Sequence, residues 1–205
     1  MDKHKILKGN PTDKENYTNS LITRQSKWWK KLLNVQYPYK KNINSLQPGF
    51  VLDIGCGVGR NLLHLGGNGV GIDHNPTSVE ICTAQGLRAY TNADFEQSSY
   101  NKPGTFDSIL LAHVAEHMTQ KNTLELLAQY QHLLKSKGKI IVITPQEAGF
   151  KSDDTHVEFM DFEKVKKVFD GLQYHTLKQY SFPFPRFVGR FFKYNEFVSI
   201  GRNSR

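Results

Sequence analysis

From Phe50 onward, short runs of Val, Ile and Leu alternate with longer stretches whose apolar residues recur every three or four positions. A strand buried on both faces reads as continuously apolar, whereas a covering helix is apolar along one stripe, so this alternation predicts a parallel sheet with helices packed against it. The expected strands are FVLDI at 50–54, GVGID at 69–73, RAYT at 88–91, FDSILLAHV at 106–114 and GKIIVITP at 138–145. Two more, YHTLKQYSF at 174–182 and NEFVSIGR at 195–202, follow Gly171. Helices are expected over GRNLLHLG, PTSVEICTAQG, QKNTLELLAQYQHLLKSKG and DFEKVKKVFDG. The second of these opens on Pro76 and stops at Gly86, as helix ends favour. The third stacks Leu124, Leu127, Tyr130, Leu133 and Leu134 on one face and is expected to stop at Gly138.

Ahead of Phe50 the pattern changes. SLITRQSKWWKKLLNV reads as a basic amphipathic helix and YPYKKNINSLQPG as a second, shorter one. The chain therefore divides into an N-terminal helical lid at 1–47 and an α/β domain at 48–205, which carries an aromatic and basic insertion at about 180–194. Charge follows the same division. Residues 1–50 carry 10 basic and 3 acidic groups, residues 51–173 carry 11 and 15, and residues 174–205 carry 6 and 1. No apolar run approaches the roughly 20 residues of a membrane span, and the first ten residues lack an apolar signal-peptide core. A cytoplasmic protein is expected, of unassigned oligomeric state. Cys56 and Cys82 suggest neither a disulfide framework nor a paired metal motif.

The chemistry-bearing stretch is VLDIGCGVGRN at 51–61. A strand that runs into glycines and then a helix offers bare backbone N–H groups to a ligand at the strand's carboxyl end. The dinucleotide fingerprint G-x-G-x-x-G fails here, because Arg60 stands at the third glycine position counted from Gly55. The spacing is D-x-G-x-G-x-G: Asp53, Gly55, Gly57, Gly59. With it the sequence resembles the class I S-adenosylmethionine-dependent methyltransferases over roughly residues 45–170. Asp73 ends the second strand, NADF at 92–95 follows the third, FDSILLAHVAEHM resembles the fourth motif, and LLKSKGKIIVITP resembles the helix, turn and fifth strand. The resemblance implies a three-layer α/β/α Rossmann-like sandwich, with a seven-stranded, mostly parallel sheet whose last strand is antiparallel. It also implies S-adenosylmethionine as cofactor, with S-adenosylhomocysteine as product. Asp53, Gly55, Cys56, Gly57 and Gly59 would shape the methionine site, Asp73 with His74 would meet the ribose, Asp94 and Phe95 the adenine, and His113 the methyl end.

Catalytic candidates cluster after the fourth strand as H-x-x-E-H: His113, Glu116 and His117. His113 has the pKa range of a general base; the alternative is a polar residue ending a strand. In some relatives, acidic and His residues at these places and at the place of His156 hold a divalent metal. Three imidazoles and a carboxylate suit zinc or a transition metal, but the first position here is His rather than Glu. Metal is left unassigned, since His156 can equally order its own loop. The NPPY-type motif of exocyclic-amine methyltransferases is absent, which favours oxygen, or a free amine on a small molecule, as acceptor. The two basic segments are expected to cover the acceptor pocket, so the partner expected is a small anionic molecule. Nucleic acid is less favoured, and a cofactor-binding regulator without turnover is the remaining class.

Overall fold

The computed structural model describes residues 36–203, so the basic segment at 20–35 lies outside the described residues. Seven strands form one sheet: β1 (Val51–Ile54), β2 (Gly69–Ile72), β3 (Ala89–Tyr90), β4 (Phe106–Ala112), β5 (Leu134–Pro145), β6 (Tyr174–Phe182) and β7 (Glu196–Asn203). Their order across the sheet is β3-β2-β1-β4-β5-β7-β6. β1 to β5 pair in parallel, while β7 runs antiparallel to both β5 and β6. The α/β/α architecture and the antiparallel last strand are as expected from the sequence.

The helices are α1 (Tyr37–Ser45), α2 (Arg60–His64), α3 (Pro76–Ala84), α4 (Asn92–Glu96), α5 (Gln120–Tyr130), α6 (Glu147–Phe150) and α7 (Phe162–Gly171). Four of them are capped by the side chain that precedes them: Asn75 accepts from Thr77 N, Thr91 from Asp94 N, Thr119 from Asn122 N and Asp161 from Lys164 N. Two core clusters lie on opposite faces of the sheet. Alternate strand residues such as Leu52, Ile109, Leu111, Ile140 and Val142 pack with Leu127, Val165 and Phe169 of α5 and α7. Their neighbours Val51, Leu110, Ile141, Ile143 and Val198 pack with Ile43, Leu62 and Cys82 of α1, α2 and α3. Burial on both sides explains why the strands read as unbroken apolar runs.

One boundary differs from expectation. The helix predicted through Lys137 ends at Tyr130, a 3-10 turn covers Gln131–Leu133, and β5 already begins at Leu134. Leu134 pairs with Phe106 in the sheet, and Lys137 takes a positive φ of 60°, which no helix continues through. Leu133 and Leu134 are thus buried by a turn and a strand rather than by a fourth helical turn. Among the described residues no helix is long and apolar enough to cross a membrane.

The turn after β1 fixes two glycines by packing. Gly55 has φ 72°, and a Cβ there would lie 2.4 Å from Val114 Cγ2. Gly59 caps α2 at φ 80°, and its Cβ would lie 2.4 Å from Leu87 Cδ1 and 3.0 Å from Cys82 Sγ. Part of what approaches this backbone closely is therefore the protein itself. Gly59→Ala is expected to combine left-handed strain with overpacking and cost about 2 to 4 kcal/mol, read by urea unfolding. A loss under 1 kcal/mol would show that the turn relaxes.

Candidate functional site

The strand order reverses between β1 and β4, the place where open α/β sheets bind ligands at the carboxyl ends of their strands. The glycine turn lies at one side of this crevice. Gly55 N and Cys56 N both donate to Ile72 O, at 2.8 and 3.1 Å. Asp73, just past β2, accepts from Gly57 N through Oδ2 at 2.8 Å and from Asn75 N through Oδ1 at 2.9 Å. One carboxylate thereby joins the turns that follow β1 and β2. A carboxylate oxygen has two lone pairs, so both oxygens of Asp73 keep acceptor capacity. His74 lies beside it, Nδ1 being 3.6 Å from Asp73 Oδ1.

Asp53 points into the same region and is 1 % exposed, with neither carboxylate oxygen hydrogen bonded. Burial pushes its carboxyl up to about 7; Arg60 opposes this and Asp73 adds to it. A buried carboxylate without a donor is costly alone and well placed for a ligand cation. Cys56 contributes backbone only, because its side chain packs against Gly71 and lies in the α3-side core, with Cys82 Sγ donating to Gly57 O at 3.2 Å. Burial and a hydrogen bond with Cys82 raise the Cys56 thiol well above its ordinary range, the hydrogen bond being the larger cause. Asp94 is exposed at the start of α4, its Oδ2 accepting from the Thr91 hydroxyl at 2.6 Å. Phe95 is 1 % exposed, its ring edge-on to Tyr90 and Tyr130, so its ring is committed to the core, and its backbone N–H donates to Thr91 O at 2.9 Å.

Across the crevice, His113 follows β4 with φ 60° and donates its backbone N–H to Ile143 O at 2.9 Å. Its Nε2 is 2.9 Å from Glu196 Oε1 and its Nδ1 3.3 Å from Glu116 Oε1. Burial alone would lower the imidazole; the bonds to Glu116 and Glu196 outweigh it and raise the pKa to about 9. Both ring nitrogens are committed to carboxylates. The adjoining cleft is lined by Tyr39, Asn42, Arg60, Asn61, His113 and Glu196. α1 closes one side of it through Tyr39 Oη donating to Tyr194 O at 2.8 Å and Tyr180 Oη donating to Asn42 Oδ1 at 2.7 Å.

Glu116, His117 and His156 form a second cluster, with one donor atom from each within 4.8 Å of the others. Glu116 is 1 % exposed and neither of its oxygens receives a well-aligned hydrogen bond. His156 Nδ1 is 2.7 Å from Phe150 O, and His117 Nδ1 is 3.2 Å from Thr155 O. Nδ1–H donation to these carbonyls leaves both Nε2 lone pairs open, as when a second shell orients metal-binding imidazoles. Burial lowers the pKa of His117, which keeps it neutral. A carboxylate and two imidazoles are a donor set for zinc or a transition metal. His113, grouped with these residues on sequence grounds, adjoins the cluster through Nδ1, 3.3 Å from Glu116 Oε1, while its Nε2 is held by Glu196.

Glu196 escaped sequence reasoning, as did Arg60, Asn61 and Tyr39. A signal for Glu196 existed, since it is the lone acidic residue among residues 174–205 and sits in an otherwise apolar strand. The contact with His113 spans 83 positions and needs β7 beside β5, which no local pattern announces.

A family model described as a methyltransferase domain matches residues 52–142. Among curated proteins, the tRNA U34 carboxymethyltransferase of Mannheimia succiniciproducens is 29 % identical over 123 residues, which are 55 % of this chain and 36 % of that protein. The chain thus spans little more than a third of the length of that relative. Among solved structures, an S-adenosylmethionine-dependent methyltransferase from Archaeoglobus fulgidus superposes with a TM-score of 0.64 at 17 % identity, covering 86 % of this chain and all of that one. Magnesium protoporphyrin IX methyltransferase from Synechocystis, solved with bound S-adenosylhomocysteine, gives 0.61 at 15 % identity, over 92 % of this chain and 97 % of that one. The family match runs from β1 into β5 and identifies a methyltransferase domain over these residues, and the superpositions extend the agreement in fold to the antiparallel edge.

Proposed function

We propose that this chain transfers a methyl group from S-adenosylmethionine to an oxygen of a small anionic acceptor held in the cleft between His113, Arg60 and α1. The cofactor supplies a methyl group already activated by its positive sulfur, so the protein's task is to hold, align and keep water out. Asp53 would face the cofactor's ammonium, Asp73 with His74 its ribose, and the exposed Asp94 its adenine. The unpartnered Asp53 carboxylate and the left-handed glycine turn both fit that ligand. The acceptor reading rests on His113. With each nitrogen against a carboxylate, the imidazole has no lone pair ready for a proton, so it acts as a fixed cation beside Arg60. An acceptor oxygen that arrives already ionised needs no base and is drawn to such a site. The 1–47 segment and the insertion would serve as the lid, α1 and the Tyr39–Tyr194 bond being its described part.

A second reading is RNA as acceptor. It is favoured by the tRNA-modifying curated relatives and a sequence pI of about 9.4. The two readings separate in one assay: methyl-labelled S-adenosylmethionine is offered with pooled carboxylated and phosphorylated small molecules, or with bulk tRNA. Label in the small-molecule fraction, lost by at least about tenfold in His113→Leu with S-adenosylhomocysteine affinity kept, supports the proposal. Label in tRNA alone replaces it, and cofactor binding with no transfer to either would leave a regulatory binder.

Asp53 yields a pH prediction. Its carboxyl is mostly protonated below about pH 7, and an ammonium beside it favours the ionised form, so cofactor binding should release a proton. Affinity for S-adenosylhomocysteine is expected to rise from pH 5.5 to 7.5, approaching tenfold per pH unit at the acid end, and to flatten above, whereas Asp53→Asn removes the slope. Calorimetric titration in buffers of different ionisation enthalpy measures the proton directly. A pH-independent affinity in the unaltered protein removes Asp53 from the cofactor site.

For the Glu116, His117 and His156 cluster, equilibrium dialysis against Zn²⁺ and Mn²⁺ should give one bound ion per chain. His156→Ala is expected to weaken it by about 10- to 100-fold or more. Equal binding in the variant would make the cluster a purely structural one that orders residues 150–158.

A further inference from the structure

We propose that the loop between β6 and β7 is a docking face for an anionic lipid surface. Four of the eight large hydrophobic residues exposed among the described residues lie in this one loop: Phe184 at 47 %, Phe187 at 66 %, Phe191 at 83 % and Tyr194 at 44 %. Phe187 lies within the 3-10 turn Arg186–Arg190 and Phe191 directly follows it. Clustered apolar exposure of this kind marks an interaction site, whereas single exposed residues do not.

A buried polar network holds the loop in place. Asn195 is 0 % exposed; its Nδ2 donates to Gln146 Oε1 at 3.0 Å and Ser181 Oγ at 2.9 Å, and its Oδ1 accepts from Phe184 N at 2.9 Å. Gln146, also 0 % exposed, donates to Ser181 Oγ at 2.7 Å and Glu196 O at 2.9 Å. Gly189 seats against this amide so closely that a Cβ would fall 1.8 Å from Gln146 Oε1. Arg186 forks onto Glu147 of α6 and lies 4.7 Å over the ring of Phe197. The underside of the loop is satisfied and fixed, so its exposed rings are presented rather than merely left over.

The charge of the loop selects the occupant. Residues 183–195 contain Arg186, Arg190 and Lys193 and no acidic residue. Arg190 and Lys193 are exposed among the rings, Lys193 Nζ lying 5.0 Å from the Tyr194 centroid. A second copy would bring the same positive charges face to face. An anionic bilayer accepts both parts: phenyl rings enter the headgroup and acyl boundary, and cations meet lipid phosphate. The most exposed rings are Phe, which have no polar tip to satisfy in that layer. Because Tyr39 joins this loop to the cleft and Glu196 follows it directly, a docked chain would hold its acceptor site next to the lipid surface. The inference stands apart from the identity of the acceptor.

The test is co-sedimentation of the full chain with vesicles of phosphatidylcholine alone, or with about a third of the lipid replaced by phosphatidylglycerol. Binding is expected only to the anionic vesicles, to fall about tenfold or more in 0.5 M salt, and to be lost in both Phe187→Ser/Phe191→Ser and Arg190→Glu/Lys193→Glu. S-adenosylhomocysteine affinity, unchanged in both double variants, confirms that they fold. Four results overturn the proposal. The chain binds no vesicles; the variants bind as well as the parent, which assigns binding to another segment such as SKWWKKLLNV; the Phe variant alters only the oligomeric state in light scattering; or it weakens only single-stranded RNA binding.

Discussion

Asp73 accepts one hydrogen bond from the turn after β1 and another from the turn after β2, and the rest of the crevice is built around that pair. A parallel sheet delivers all its carboxyl ends to one edge, but it does not decide how the connecting turns leave that edge. Here a single carboxylate decides it for two neighbouring turns. With Gly57 N anchored to β2, Gly55 is pressed against Val114 at the end of β4 and Gly59 against α3. The glycine turn is therefore specified by its protein neighbours before any ligand arrives, the kind of preorganisation that lowers the cost of binding.

Two buried carboxylates, Asp53 beside the glycine turn and Glu116 in the His cluster, lack a well-aligned hydrogen bond, although Glu116 Oε1 lies 3.3 Å from His113 Nδ1. The contrast with Glu196 is instructive. Glu196 is buried to a similar degree but meets an imidazole at 2.9 Å, and the pair needs nothing further. An orphaned buried carboxylate destabilises the ligand-free state, so whatever cation reaches it gains by relieving that cost.

The sheet and its order were legible because they follow from chain-local facts: apolar runs, helix starts at Pro76 and stops at Gly86, and motif spacing from Asp53 to Asp73. YHTLKQYSF matches β6 at both ends, since Gly171 before it and Pro183 after it bound the run without tertiary information. The start of β5 was not legible, because Leu133 and Leu134 continue a helical stripe and only pairing with Phe106 turns them into a strand. The short helices Asn92–Glu96 and Glu147–Phe150 were missed for lack of a full period. In the site, residues adjacent to the glycine motif were readable by spacing. The His113–Glu196 pair and the Asn195–Gln146 network were not, since both join segments about 50 to 80 residues apart.

The position of β7 has a consequence for how the chain is made. It lies between β5 and β6 yet follows both in sequence, pairing with β5 from Lys139 to Pro145 and with β6 from Tyr174 to Phe182. During synthesis, β5 ends as an open edge and β6 has no neighbour in the sheet until β7 emerges. The parallel half can form while this edge is still exposed to other nascent chains. Emergence of β7, rather than any step in the glycine-bearing half, is then the moment at which the sheet closes and Glu196 reaches His113.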